Sequence, residues 1–281
     1  MWPARPTAAA GIIRPLAPRQ GTPVTLSPTE LSRQCDEHAR RDAERSREVF
    51  DIGPFRALLN RSDPMIWLNY AVPIGPFGTD EETAAALAQL REAFVARQRT
   101  LRFEFNALPW PGLPELLARE GLEVVYRHPV MVCTAETWRA FDTPEVAVRI
   151  LGEDSPEADL RAYLTIIRLG FDDDKPVSPE DVIALRDRLR SASNVSALAA
   201  LGGEPAGVGS ISPIDGTAEL AGVATHPAMR RRGVAAALSS FLIGHHFAHG
   251  GDLIWLSAAD TAAQAVYQKV GFSEIDVRLN Y

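Results

Sequence analysis

Lysine is nearly absent from this sequence. Lys175 and Lys269 are the only two, and every other member of its 29 basic residues is arginine. Such a bias follows from GC-rich coding and carries no function by itself. Cysteine is equally scarce: Cys35 and Cys133 stand far apart, without the short spacing of a metal site. That argues against a disulfide framework and suits a reducing compartment, so a cytoplasmic location is expected. No apolar run approaches the ~20 residues needed to cross a bilayer, and no membrane partner is expected. A positive balance is missing too. The 281 residues carry a formal net charge of −7, which gives no general field for nucleic acid or anionic lipid. Acidic residues are absent before Glu30, while Arg5, Arg14, Arg19 and six prolines crowd into residues 1–29. An arginine-rich, acid-poor start fits a transit peptide, but the prolines interrupt any amphipathic helix, and residues 1–26 are expected to be a disordered tail.

What remains is an ordinary globular composition, 46% hydrophobic and 23% charged, long enough for one large or two medium domains. Ser27-Pro28-Thr29-Glu30 has the form of a capping box, which starts a helix through LSRQCDEHARRDAERSREVF. PMIWLNYAV (64–72) reads as a strand, AAALAQLREAFVARQR as a helix, LRFEF as a strand, PELLAREG as a short helix and LEVVYRHPVMVC as a closing strand. TAELAGVAT, RRRGVAAALSSFLIGHHFAH, DLIWLSA, TAAQAVYQKVG and FSEIDVRLNY repeat this order of strand, helix, strand, helix, strand. The repetition suggests a duplicated unit, with two alternating but unrelated segments as the other reading. The second copy has extra material in front. EVAVRIL reads as a strand, SPEADLRAYLTIIRLGF as a helix, and Ser178-Pro179-Glu180-Asp181 as the capped start of another. NVSALAALGGEPAGVGSISPIDGTAELAGVAT follows as a three-stranded meander with turns at Gly202-Gly203 and Asp215-Gly216. The expected architecture is α/β of the α+β type, a mixed and mostly antiparallel sheet flanked by helices, in two related halves, 27–143 and 144–281.

The stretch VATHPAMRRRGVAAAL (223–238) stands out against the acidic background. Arg230-x-x-Gly233-x-Ala235 falls between a strand and a helix start, where backbone N–H groups lack intrahelical partners and the helix dipole favours an anion. Gly233 and Ala235 leave those donors uncovered, and arginines on the flanks supply charge-assisted hydrogen bonds. The spacing suits a pyrophosphate, yet it is neither the G-x-G-x-x-G dinucleotide fingerprint nor a P-loop. Further on, Ala263, Val266, Tyr267 and Val270 share one helical stripe, and Gly271-Phe272 ends that helix.

The loop, the tyrosine and the Gly-Phe pair, in this order and spacing, resemble the GNAT superfamily of N-acetyltransferases over roughly residues 146–281. The resemblance implies an acetyl-CoA donor and no metal. It places the pantetheine arm against the backbone of Val223, Ala224 and Thr225, and the pyrophosphate on Arg230, Arg231, Arg232, Gly233, Val234, Ala235 and Ala236. It brings Tyr267 near the thioester sulfur. Members of the family commonly carry asparagine where this chain has Asp260; an aspartate still caps the helix but offers no amide donor to CoA.

The implied reaction is attack of an amine on a thioester. Backbone N–H groups at Val223 or Ala224 suit the oxyanion. Glu219, on the same strand, is the candidate base, its other reading being an exposed strand carboxylate without a catalytic role. Tyr267 reads either as the proton donor to sulfur or as a core tyrosine. His245 and His249, four apart, have metal-ligand spacing but no third ligand, and a helix C-terminus favours histidine anyway. Asp172, Asp173 and Asp174 read as an attractor for a cationic amine or as a solvated turn. In the first half FGTDEET stands where the second has MRRRGVA, and Leu117 where the second has Tyr267. Residues 27–143 are therefore expected to be a degenerate half without a CoA site. Two functions follow for the chain: an N-acetyltransferase acting on a small-molecule or peptide amine, or an acyl-CoA-binding sensor without turnover.

Overall fold

A computed structural model describes residues 26–191 and 194–281, so the expectation for most of the N-terminal tail lies outside the described residues. The described chain divides into two compact units, one of residues 26–131, 257–259 and 274–281, the other of 132–256 and 260–273.

The first unit opens with α1 (Pro28–Glu44). Ser27 caps it through the reciprocal pair expected from the sequence, with Ser27 Oγ accepting from Glu30 N and Glu30 Oε2 accepting from Ser27 N at 2.7 Å. The helix is shorter than the sequence reading: it stops at Glu44, and SREVF, assigned to its end, turns into β1 (Glu48–Ile52), paired with β2 (Phe55–Leu59). The β-branched and aromatic residues there favour a pleated hairpin over another helical turn. The expected strand at 64–72 begins late, as β3 (Tyr70–Pro73) preceded by a 3-10 turn at Ile66–Leu68. Next come α2 (Asp80–Ala96), β4 (Glu104–Asn106), α3 (Leu113–Arg119) and β5 (Tyr126–Thr134). Phe55, Leu87, Leu90, Phe94, Phe103 and Phe105 lie at the centre of its core.

The second unit begins with the last residues of β5 and continues through β6 (Val146–Leu151), α4 (Glu157–Gly170), α5 (Pro179–Arg190), β7 (Val195–Leu201), β8 (Glu204–Ile214) and β9 (Thr217–Thr225). Then follow α6 (Val234–Ala248), β10 (Leu253–Ser257), α7 (Thr261–Lys269) and β11 (Ser273–Asn280). The meander of β7, β8 and β9 is antiparallel, with turns at the two expected dipeptides, and the strand order is β10-β9-β8-β7-β6. Side-chain alternation along β8 lets helices cover both faces of the sheet. Val208 packs with Leu160 and Leu164 of α4 and Val182 and Leu185 of α5, whereas Gly207 and Gly209 face Val234, Leu238 and Leu242 of α6. The expected mixed, mostly antiparallel sheet with flanking helices is what forms.

β11 departs from a simple tandem order. Its residues from Glu274 onward belong to the first unit, where it lies between β4 and β5 with Arg278 opposite Asn106. Buried polar groups fix it there. Arg278 donates to Glu104 Oε1 at 2.7 Å and to Asp36 Oδ1 at 3.2 Å, and Asp36 also accepts from Trp110 Nε1 at 2.8 Å. Burial alone would lower the Arg278 pKa, but the charges of Glu104 and Asp36 more than offset it, so the guanidinium stays charged.

Candidate functional site

All the residues singled out for chemistry lie in the second unit, most of them on β9, the loop after it, α6 and α7, with Asp172, Asp173 and Asp174 between α4 and α5. Two features of β9 open the sheet. On one side, the parallel ladder to β10 pairs Thr217, Ala218 and Glu219 with Leu253, Ile254 and Trp255, and the register stops there while β9 runs on to Thr225. On the other, the ladder to β8 shifts between Val208 and Ser210, so that Gly222 and Val223 together oppose Gly209. Gly222 takes φ +61°, the left-handed region that a bulge of this kind needs and that glycine enters at no steric cost. Ile167 of α4 lies close behind it, 3.3 Å from where a Cβ would sit. The bulge turns the backbone at Val223 and Ala224 out of the regular ladder, at the end of β9 that has parted from β10. Glu219 occupies the last paired position and is half-buried.

Beyond Thr225 the chain passes through a 3-10 turn, Pro227–Met229, into the arginine loop. The helix expected from RRRGV begins only at Val234, because Gly233 is its N-cap at φ +81° and Arg231 also lies left-handed at φ +64°. The left-handed Gly233 runs directly into the right-handed Val234, a step that turns successive N–H groups toward one concavity, an anion nest. Arg231 takes the left-handed conformation without glycine's freedom, the sort of local strain that collects at binding sites. No side chain caps α6 and no acidic residue occupies its first turn, so its leading N–H groups have no side-chain acceptor and can take an anion. Arg230, Arg231 and Arg232 are all exposed. Arg230 Nε donates to the Thr225 carbonyl at 3.4 Å, which ties the loop back to β9. Arg232 leans away, 3.5 Å from Glu145. Val234 and Ala236 are buried and Ala235 is half-buried, so the cradle floor is small and apolar.

On α7, Asp260 is the N-cap, its Oδ1 accepting from Ala263 N at 2.8 Å, as its helix-start position predicts. Tyr267 packs edge-on against Phe272, ring centroids 5.8 Å apart. Burial, with a smaller contribution from the Asp260 charge, pushes the Tyr267 phenol up to about 12. It is therefore a neutral donor throughout the physiological range. Gly271 closes the helix at φ +107° with its Cα against the Thr137 carbonyl, where no Cβ would fit.

The other candidates make local contacts. The His245 and His249 rings lie 4.0 Å apart, and His249 Nδ1 donates to the His245 carbonyl at 2.7 Å. No cluster of three metal-ligating side chains occurs among the described residues. Asp173 accepts from Lys175 N at 3.1 Å, and Arg168 donates to the carbonyls of Lys175 and Pro176, so the acidic turn is held by local bonds. No described helix is long and apolar enough to cross a membrane. Two neighbours of these residues were not singled out from the sequence. Gly222 had a usable signal, a glycine inside a strand pattern. The segment 137–145 had none: Trp138 packs on Gly244, Phe141 N donates to Ser240 Oγ at 2.9 Å, and the Phe141 ring lies 3.5 Å from the Cβ position of Gly233.

A sheet that parts beside a bulged strand, followed directly by an uncapped helix start, defines a GNAT-type fold. Residues 160–272 match the acetyltransferase (GNAT) family model, and the chain thus carries a domain of that family. Solved structures similar over most of the chain agree in fold. A GCN5-related N-acetyltransferase from Kribbella flavida is 24% identical, with TM-score 0.74 over 89% of this chain and 94% of its own. A GCN5-related N-acetyltransferase from Sphaerobacter thermophilus is 16% identical, with TM-score 0.63 over 89% and 88%. A tandem GNAT protein from the clavulanic acid biosynthesis pathway is 15% identical, with TM-score 0.60 over 82% and 78%. No curated protein matches the chain.

Proposed function

We propose that the chain is an acetyl-CoA-dependent N-acetyltransferase that passes an acetyl group to a primary amine of a small molecule or peptide by direct attack in a ternary complex. The observation that carries this reading is the continuity of β9 with the arginine loop: one stretch of backbone has a bulge at Gly222–Val223 and an open anion nest at Arg230–Val234. A thioester joined to a pyrophosphate by a long flexible arm needs such a pair of backbone sites. Arg230, Arg231, Gly233, Val234, Ala235 and Ala236 hold the pyrophosphate, Arg232 assists from the rim, and Val223, Ala224 and Thr225 meet the pantetheine arm. Asp260 contributes by fixing α7 and so placing Tyr267. Domain limits of 27–143 and 144–281, with the first segment free of CoA, belong to the same proposal.

In this reading the amine nitrogen attacks the thioester carbon. The carbonyl oxygen takes up negative charge and is held by N–H groups at Val223 or Ala224. Glu219, at the mouth of the split, accepts the amine proton directly or through water. The C–S bond then breaks. A phenol with a pKa near 12 holds its proton far more tightly than a thiol of pKa ~8.5. Tyr267 therefore acts as a hydrogen-bond donor to the departing sulfur, and complete proton transfer to the thiolate comes from solvent.

Incubation with acetyl-CoA and a library of primary amines, followed by free-thiol release, tests the proposal. Thiol release that depends on the amine is the expected result. Tight acetyl-CoA binding with no release for any amine would instead establish the sensor.

A further inference from the structure

We infer that Lys269, held over the ring of Phe141, is the recognition site for the ribose 3′-phosphate of the CoA donor, a role that rests on the acetyl-CoA reading above. The nest and Arg230 account for the pyrophosphate. The 3′-phosphate is a second, separate charge on the adenosine end, and it needs a cation beyond the loop. Glu145 removes one candidate, since Arg232 is turned toward it.

The segment 137–145 brings another cation into place. It runs along α6 from Gly244, which Trp138 covers, to Gly233, where the Phe141 edge lies 3.5 Å and Thr143 Cγ2 3.8 Å from the position a Cβ would take. Phe141 is fixed at its own backbone by Ser240 Oγ. Lys269, the last residue of α7, places its ammonium 5.5 Å from the centre of the Phe141 ring. The Phe141 ring thus stands between Gly233 and the Lys269 ammonium, linking the charge to the nest. A cation within about 6 Å of an aromatic centroid is attracted by the ring face, which narrows where a flexible side chain spends its time. Lys269 is exposed, one of only two lysines in the chain, and forms no ion pair among the described residues. An ammonium is a compact point charge with three donors, which suits a terminal phosphate.

Isothermal titration of CoA and of 3′-dephospho-CoA against the whole protein, its Lys269→Met variant and its Phe141→Leu variant separates the two readings. The wild type should prefer CoA about fivefold at low salt, the scale of one partly exposed charged contact. Lys269→Met should abolish the preference while leaving dephospho-CoA affinity unchanged, and Phe141→Leu should reduce it. Equal binding of both ligands by the wild type, or an equal loss for both in Lys269→Met, overturns the assignment and leaves the acetyl-CoA reading standing. Binding of neither ligand by the wild type removes the acetyl-CoA reading itself, and the assignment with it. Competition by adenosine 3′,5′-bisphosphate but not by adenosine 5′-monophosphate gives the same discrimination without the pantetheine arm.

Discussion

Replacing Gly222 by alanine separates the chemistry of the β9 bulge from its structural role. At φ +61° an L side chain sets Cβ against the following carbonyl, which costs about 1–2 kcal/mol. The new methyl would also stand 3.3 Å from Ile167 Cδ1, a tight contact but one made by the end of a flexible side chain that can shift a few tenths of an ångström. The stability cost is therefore mostly the backbone's, and Tm should fall by about 3–6 °C. Relieving the strain means drawing Gly222 and Val223 back toward a regular ladder with Gly209, which withdraws the N–H groups of Val223 and Ala224 from the oxyanion. Loss of one oxyanion donor costs on the order of 10²-fold in kcat. CoA affinity should fall much less than kcat, because only the pantetheine contacts at Val223 and Ala224 shift, while the nest that holds the pyrophosphate lies on a separate turn. Steady-state kinetics beside a thermal melt and a CoA titration read all three quantities. A lowered Tm with kcat intact would refute the catalytic role of the bulge, and an unchanged Tm would refute the left-handed backbone itself.

The loop and α7 yield further expectations. Arg230→Ala should weaken CoA binding about tenfold, the scale of one charge-assisted hydrogen bond to phosphate. Arg232→Ala should weaken it about twofold, because its exposed pairing with Glu145 already draws it aside; a titration that ranks the two variants the other way contradicts the geometry. Tyr267→Phe should lower kcat about 10–100-fold with CoA affinity retained, and unaltered turnover removes the phenol from the reaction. Burial pushes the Cys133 thiol up to about 12, so native protein at pH 8–9 should resist thiol reagents at this site. The folded state holds this proton above the ordinary value near 9 while the unfolded state releases it, so the contribution of Cys133 to stability falls as pH rises from 9 toward 12. Rapid labelling of Cys133 in the native protein would contradict its burial.

Much of the local structure was legible because it is written in short-range chemistry. Ser27, Ser178 and Asp260 each satisfy orphan N–H groups within three residues, and every one of these caps forms. Gly202-Gly203 and Asp215-Gly216 turn the meander for equally local reasons, with Asp215 at φ +46° and Gly216 at φ +84°. The misreadings have a common cause. SREVF satisfies a helical pattern as an extension of α1, and only the hairpin with Phe55–Leu59 gives its apolar residues a partner. The position of β11 beside β4 depends on Arg278 meeting Asp36 and Glu104, a contact across more than half the chain that periodicity does not encode. The β9 bulge lay between the two cases. Its glycine was visible, but its consequence required the register of two neighbouring strands.

The same physics separates the starts of α2 and α6, the two helices that the sequence reading set side by side. At the start of α2, Thr79 accepts from Glu82 N, Glu82 Oε2 accepts from Thr79 N at 2.8 Å, and Asp80, Glu81 and Glu82 fill the first turn with negative charge. That helix has satisfied its own dipole, and a phosphate there would meet three carboxylates instead of free donors. At the start of α6 nothing in the side chains does this work: Gly233 caps without a hydrogen bond, and the first turn carries no acid. Leaving several N–H groups open near the surface costs stability unless water or a ligand takes them up. The left-handed Arg231 and the uncapped Gly233 thus belong together: under the proposed function, α6 completes its N-terminus with the pyrophosphate of the donor.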